Sequence, residues 1–269
     1  MTHGRALADA GLSHIPNFRD PTARAFLPEK RRHNVGKYQR AFREGKRVLG
    51  VEAARVMADM IALRTTAIDA VVREAIAGGA QQLVILGAGY DGRAWRMPEL
   101  AEVKVFEVDH SATQRDKRTR AQEMRPTAAS INFVAINFEK ESLDTVLARA
   151  GHDRSVPTCW IWEGVVMYLT REAMRGTLAN IAARSAAGST LIVNYHTIHR
   201  GFFARLIFRL IGEPQISAWA PEQMAADMRT AGFVVRADTG MTEWNTRYAS
   251  GEAKVDRGYY MRIAVARKE

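Results

Sequence analysis

The stretch Leu83–Met97, LVILGAGYDGRAWRM, decides how the rest of the chain is read. A short apolar run stops at glycine, as a buried parallel strand does where it turns toward a ligand site. Gly87, Gly89 and Gly92 follow at G-x-G-x-x-G spacing. Glycine at these points permits a tight turn and close approach of a ligand to the backbone. The next apolar run closes on acid, in FEVD, with Glu107 and Asp109. A carboxylate placed there accepts hydrogen bonds from both ribose hydroxyls of an adenosine. A turn that merely needs glycine would carry the same three residues.

Upstream, Val56, Met57, Met60, Ile61, Ile68, Val71, Val72 and Ala75 recur at helical spacing from Val51 until Gly78-Gly79. Downstream, strands are predicted at Gln82–Leu86, Val103–Val108, Ile131–Ile136, Thr158–Trp162 and Thr190–Tyr195, with helices such as Ser142–Ala150 and Arg171–Ala187 between them. That alternation specifies a doubly wound α/β domain, a mostly parallel sheet covered on both faces. The end differs: a helix over Pro221–Ala231, then strands Gly232–Ala237 and Tyr259–Ala266 with no helix between. Two such strands should pair antiparallel. This finish is that of the common Rossmann-like methyltransferase sheet, whereas a dinucleotide dehydrogenase continues its βαβ winding. One domain is expected, comprising a cap segment (1–50), a cofactor-binding core (51–197), a lid insertion (198–220) and a C-terminal helix and hairpin (221–269). Residues 1–50 read as irregular and polar, punctuated by Pro16, Pro21 and Pro28.

Of 269 residues, 47% are apolar and 25% charged, an ordinary globular composition. A single cysteine, Cys159, excludes an internal disulfide framework and fits a reducing compartment. The first thirty residues carry charges throughout and no long apolar run. No secretory signal or membrane span is expected, and a cytoplasmic location is. The net charge is +10, with a basic cluster from Lys30 through Arg47. Such a surface attracts acidic substrates, nucleic acid or anionic lipid, or is a solvated face. No groove-reading motif accompanies it, so no nucleic-acid partner is expected. Neither is a metal site.

The glycine loop suits NAD and S-adenosylmethionine alike, and three residues elsewhere favour the second. Arg64 lies on the apolar stripe of its helix, four residues from both Met60 and Ile68. A guanidinium on a buried face must be paired or meet a ligand. The carboxylate of an amino-acid cofactor would satisfy it bidentately; so would an ion pair with Asp91 or Glu163. Glu163 follows CWIW at the carboxyl end of a central strand, where open α/β sheets bind ligands. Carboxylate and aromatic groups suit ammonium and sulfonium charge. Asn137, closing the third strand, offers an adenine edge a hydrogen bond or starts a turn.

Five segments occur in an order that resembles the leucine carboxyl methyltransferase family: LRTTAID (Leu63–Asp69), LVILGAGYDGRAWRM, VFEVDHSATQRDKR (Val105–Arg118), FVAINFEKESL (Phe133–Leu143) and WEGVVMYLT (Trp162–Thr170). The resemblance covers roughly Val51 to Thr197. It implies an S-adenosylmethionine-dependent enzyme with cofactor contacts from Arg64, the Gly87-Ala88-Gly89 turn, Asp109, the Asn137-Phe138 pair and Glu163. In that family the arginine receives the cofactor carboxylate, the acid holds the ribose, and the third-strand pair frames the adenine. The family usually has Asp where Asn137 stands and Thr where Gly92 stands.

Methyl transfer from sulfonium is an in-line displacement, to which a protein contributes chiefly proximity and alignment. An ionised carboxylate acceptor needs no base, whereas a hydroxyl gains from one. Candidate bases are Tyr195, His196 and His199, with Tyr168 nearby, though each is more often a local hydrogen-bonder. Ile198–Gly212, apolar with interspersed arginines, reads as a lid. Phe202, Phe203, Leu206 and Ile207 would then line an acceptor pocket; a core-packing or membrane-surface helix would carry the same pattern. Lys37 or Tyr38 would contact an acidic acceptor. The expected function is O-methylation, at a hydroxyl or carboxyl, of a small or lipophilic metabolite. The alternatives are an NAD-dependent oxidoreductase and a non-catalytic binding protein with a basic surface.

Overall fold

A computed structural model describes residues 1–46, 48–137, 140–197, 217–250 and 261–269. The predicted lid with His199, Phe202, Phe203, Leu206 and Ile207 lies outside them, as does Phe138.

Strands β1 (Gln82–Leu86), β2 (Lys104–Asp109), β3 (Ser130–Ala135), β4 (Thr158–Trp162), β5 (Thr190–His196), β6 (Phe233–Gly240) and β7 (Met261–Lys268) form one sheet ordered β3-β2-β1-β4-β5-β7-β6. β1 to β5 pair parallel, and β7 runs antiparallel to both β5 and β6. Every residue of β1 and β4 is buried, because helices cover both faces and leave no solvent side to mark by alternation. The two-residue period still sorts their side chains. Leu83, Ile85, Cys159 and Ile161 enter one core layer, and Val84, Leu86, Trp160 and Trp162 the other.

The helices are α1 (Thr2–Leu7), α2 (Pro21–Ala25), α3 (Glu29–Arg43), α4 (Val51–Ala77), α5 (Arg93–Arg96), α6 (Ser111–Ala121), α7 (Leu143–Arg149), α8 (Arg171–Ala183), α9 (Pro221–Thr230) and α10 (Met241–Tyr248). α4 runs antiparallel to β1 and stops at Gly78, with Gly79 at φ +97° supplying the left-handed turn.

Two expectations are corrected. The first fifty residues are largely helical, and Leu7, Leu12, Phe26, Leu27 and Val35 are buried. α1 and α2 are too short to display a period, α3 buries only Val35 and Ala41 of its fifteen residues, and Pro21 and Pro28 start helices rather than interrupt them. Pro21 is the first residue of α2 behind Asp20, whose carboxylate accepts the Ala23 N–H at 3.1 Å, and Pro28 caps α3. The closing strands are also not joined directly, because α10 intervenes. Its eight residues bury only Met241 and Trp244, too few to register as an apolar stripe. The expected antiparallel pairing holds.

Candidate active site

The glycine loop closes onto the end of β2. Gly87 and Ala88 donate their N–H groups to Val108 O at 2.8 and 3.1 Å, and Gly89 N donates to Asp109 Oδ2 at 2.6 Å. Gly87 and Gly89 adopt φ of +65° and +47°, conformations that favour glycine. A Cβ on Gly87 would overlap Val165 Cγ2. Gly92 has an ordinary φ of −108°, so its reason lies elsewhere. A Cβ there would overlap Thr22 Oγ1 and stand 2.9 Å from Thr22 Cβ. The third glycine admits α2 to the loop.

Glu163 follows β4 on the opposite face from Trp162, as strand alternation requires. Its Oε1 accepts from Arg64 Nε at 2.9 Å and its Oε2 from Arg93 Nη1 at 3.0 Å. The ion pair that the sequence left as one alternative for Arg64 is therefore present. Among the described residues the remaining Arg64 nitrogens meet only thioether sulfur, Nη1 lying 3.7 Å from Met261 Sδ and Nη2 beside Met1 Sδ. Thioethers are weak acceptors, so those donors are available to a better one.

Arg93 was not foreseen. It is wholly buried, also binds Asp69 Oδ1 through Nε at 2.7 Å, and pairs with Asp91. Arg96 binds Asp69 at 2.6 Å, and Arg5 pairs with Asp20 at 3.2 Å while donating to Tyr90 O. Burial pushes the Glu163 carboxyl up, but the charges of Arg64 and Arg93 outweigh it and hold the group below its ordinary range. Asp91 is likewise held low against burial, chiefly by Arg93. Burial lowers the Arg64 value, and Glu163 only partly restores it. The sequence offers only a partial signal, two arginines in RAWR and an unassigned acid, Asp69, in LRTTAID; that they meet is set by the fold.

On the other face, beside Gly87, a cleft of about 350 Å³ opens. Leu86, Trp162, Val165, Leu169 and Ala173 make it mainly apolar, and Glu141-Ser142-Leu143 form one lip. Asn137 builds the turn into that lip. Its carbonyl accepts the N–H groups of Lys140 and Glu141 at 2.9 and 2.8 Å, and its own N–H reaches Glu141 Oε2 at 3.1 Å.

Other candidates fall away from the cleft. Tyr195 donates its hydroxyl to Asp238 at 2.6 Å, and burial pushes its pKa up, so it keeps its proton. His196 is buried at the end of β5. Lys37 is exposed on α3, and Tyr38 packs its hydroxyl under the turn at Gly50; neither lines the cleft. Tyr168 stands exposed on the turn between Val165 and Leu169. Among the described residues no group of three or more His, Cys, Asp or Glu could hold a metal, and no helix is long and apolar enough to cross a membrane.

Glu107 shares a face with Asp109 and is buried against Lys117 Nζ at 2.6 Å. Burial raises its carboxyl from 4.5 to about 7 despite the lysine. The folded state then keeps a proton that the unfolded chain has lost, so stability should fall as pH rises from 4.5 through about 7. Urea denaturation at pH 5 and pH 8 should show wild type losing stability relative to Glu107→Gln. Parallel losses would refute this assignment.

This strand order, with its reversed seventh strand and a charged pole and apolar cleft flanking the glycine loop, defines a Rossmann-like methyltransferase architecture. The chain belongs to the leucine carboxyl methyltransferase family, whose profile matches residues 1–182. It is 34% identical over 175 residues to a provisionally named S-adenosyl-L-methionine-dependent methyltransferase of Streptomyces coelicolor, covering 64% of this chain and 61% of that protein. A similarly named Frankia alni protein is 33% identical over 207 residues, 77% of this chain and 70% of its own. Among solved structures, a DUF574 family protein from Streptomyces avermitilis superposes with a TM-score of 0.58 at 15% identity, over 98% of this chain and 97% of its own. Magnesium protoporphyrin IX methyltransferase from Synechocystis, solved with SAH bound, gives 0.51 at 14% identity, over 88% and 94%.

Proposed function

We propose that the protein is an S-adenosylmethionine-dependent methyltransferase that methylates an oxygen of a small or lipophilic acceptor. The observation that carries this reading is the division of one site across Gly87. A buried Arg64–Glu163 pair lies on one side and an apolar cleft on the other. An amino-acid end, with its own carboxylate and ammonium, matches the pair group for group. A flat aromatic base matches the cleft.

In this reading Arg64 turns its free Nη donors to the cofactor carboxylate and Glu163 receives the ammonium. Asp109, half-buried and fixed by Gly89 N–H, accepts from the ribose. The cleft lined by Trp162, Val165 and Leu169 takes the adenine, and the Asn137 turn closes its edge. When bound, the cofactor supplies an electrophilic methyl carbon, to which the acceptor oxygen bonds as the carbon–sulfur bond breaks and its electron pair passes to sulfur. The protein aligns the two and keeps water out.

The dinucleotide alternative loses the feature that favoured it, since Gly92 makes room for Thr22. α5, which opens after the loop, is one turn long, a poor seat for a pyrophosphate.

Calorimetric titration with S-adenosylmethionine, S-adenosylhomocysteine and NAD tests the proposal. Saturable binding of the first two is expected, weakened about 10- to 100-fold in Asp109→Ala by loss of charge-assisted hydrogen bonds to the ribose. Binding of NAD instead, or of none, would overturn it.

A further inference from the structure

α3 presents a stripe of cations with no acid opposite them. Arg32, Gly36, Arg40 and Arg43 recur at helical spacing and share one face, away from the buried Ala41. The three arginines are exposed, as are Lys30, Arg31 and Lys37, and none forms an ion pair with another described residue. Of the nearby acids, Glu44 is taken by Lys46 at 2.7 Å, leaving Glu29 in the first turn. α2 adds a further cation. Arg40 Nη1 and Arg24 Nη2 lie 3.8 and 3.9 Å from the position that a Cβ on Gly36 would occupy. Guanidinium groups gathered without a carboxylate repel one another, a cost that an anion between them reverses.

Exposed apolar side chains lie past the end of the stripe. Leu49 is 98% exposed, and Phe42, on the neighbouring face with its ring under the Arg55 guanidinium at 4.9 Å, is 40% exposed. The turn carrying Leu49 is tied back to α3, where Lys46 N–H donates to Ala41 O at 2.9 Å, and the Tyr38 hydroxyl packs under Gly50. Phosphate contacts alone explain arginines but give no role to a leucine standing in water. Cations flanking an exposed apolar tip are the composition of a surface that inserts among lipid headgroups.

We propose that α3 and the Leu49 turn dock on an anionic lipid bilayer, arginines on the phosphates and Leu49 with Phe42 in the interfacial layer. The geometry makes this useful. Leu49 precedes α4, whose Arg64 lies roughly 20 Å further along the helix at the carboxyl end of the sheet. The docked end is therefore the end that carries the cleft, which suits an acceptor drawn from a membrane.

Flotation with vesicles of phosphatidylcholine, or of an equal mixture with phosphatidylglycerol, tests this without reference to methyl transfer. Partition onto the mixed vesicles should exceed that onto phosphatidylcholine at least about ten-fold and fall as salt is raised. Arg32→Gln and Arg40→Gln should each weaken it about five-fold, and Leu49→Ser about ten-fold or more. All three sites are exposed, so the variants should keep the wild-type melting temperature. Equal partition onto both vesicles, or none, would overturn the proposal. So would undiminished binding by Leu49→Ser together with displacement by duplex DNA, which would make the stripe a nucleic-acid site.

Discussion

Replacing Arg93 with methionine is expected to cost about 3–5 kcal/mol of folding stability, the usual result of removing one partner from a buried ionic group. Arg93 has no solvent exposure, and its guanidinium is shared by Asp69, Asp91 and Glu163. Methionine fills a similar length of cavity but leaves Glu163 with Arg64, Asp69 with Arg96, and Asp91 with no direct ion pair among the described residues. A domain with a net stability of about 5–15 kcal/mol loses a large part of it. The melting temperature should drop by roughly 6–20 °C. Because carboxylate charge drives the penalty, it should shrink as pH falls and these acids protonate. Arg93→Lys, which keeps the charge but not the planar fork, should fall between wild type and Arg93→Met. A loss below about 1 kcal/mol for Arg93→Met would mean that the cluster is hydrated and the account wrong.

Gly92→Thr is expected to loosen the whole N-terminal segment, although it installs the residue usual in the family at that position. The new side chain would occupy the space of Thr22 Oγ1 and crowd Asp20 Oδ1, 3.2 Å from its Cβ. Asp20 caps α2 and pairs with Arg5, so displacement there propagates along the segment. Overpacking of this kind costs about 1–3 kcal/mol, and limited proteolysis should reveal new cleavage before Val51. Thr22→Gly removes both clashing atoms. In the double variant the two losses should combine to less than their sum by at least about 1 kcal/mol. Strict additivity would show that Thr22 and Gly92 do not share this space.

These two positions show where the sequence was informative. β1 and β4 were legible because buried strands give apolar runs with sharp ends, at Gly87 for β1 and between Pro157 and Glu163 for β4. Arg64 and Glu163 were legible as partners because each is a charge where the pattern demands apolar residues. Arg93 escaped because its partners Asp69 and Glu163 stand in separate segments, and charge proximity is a property of the fold. Gly92 was misread for a related reason: spacing records that a side chain is absent, not what fills the space. The N-terminal helices were missed because α1 and α2 are a turn or two long, α3 buries few residues, and α2 and α3 begin at prolines that read as breaks. Tyr195 has the position of a base by strand count, but the fold brings Asp238 from β6 to accept the hydrogen bond of its hydroxyl.

The place of β7 bears on how the molecule is made. It follows β6 and α10 in the chain yet lies between β5 and β6, bonded along seven residue pairs to β5. While a ribosome is still delivering β7, the finished part of the sheet ends at an unpaired β5 and β6 has no strand to join. Both edges are templates for pairing with other chains during that interval. Pairing of β7 therefore completes both of its neighbours at once, and its bonds to β5 are a long-range and comparatively slow event. Chains that lose this step should accumulate as aggregates rather than as folded shortened protein.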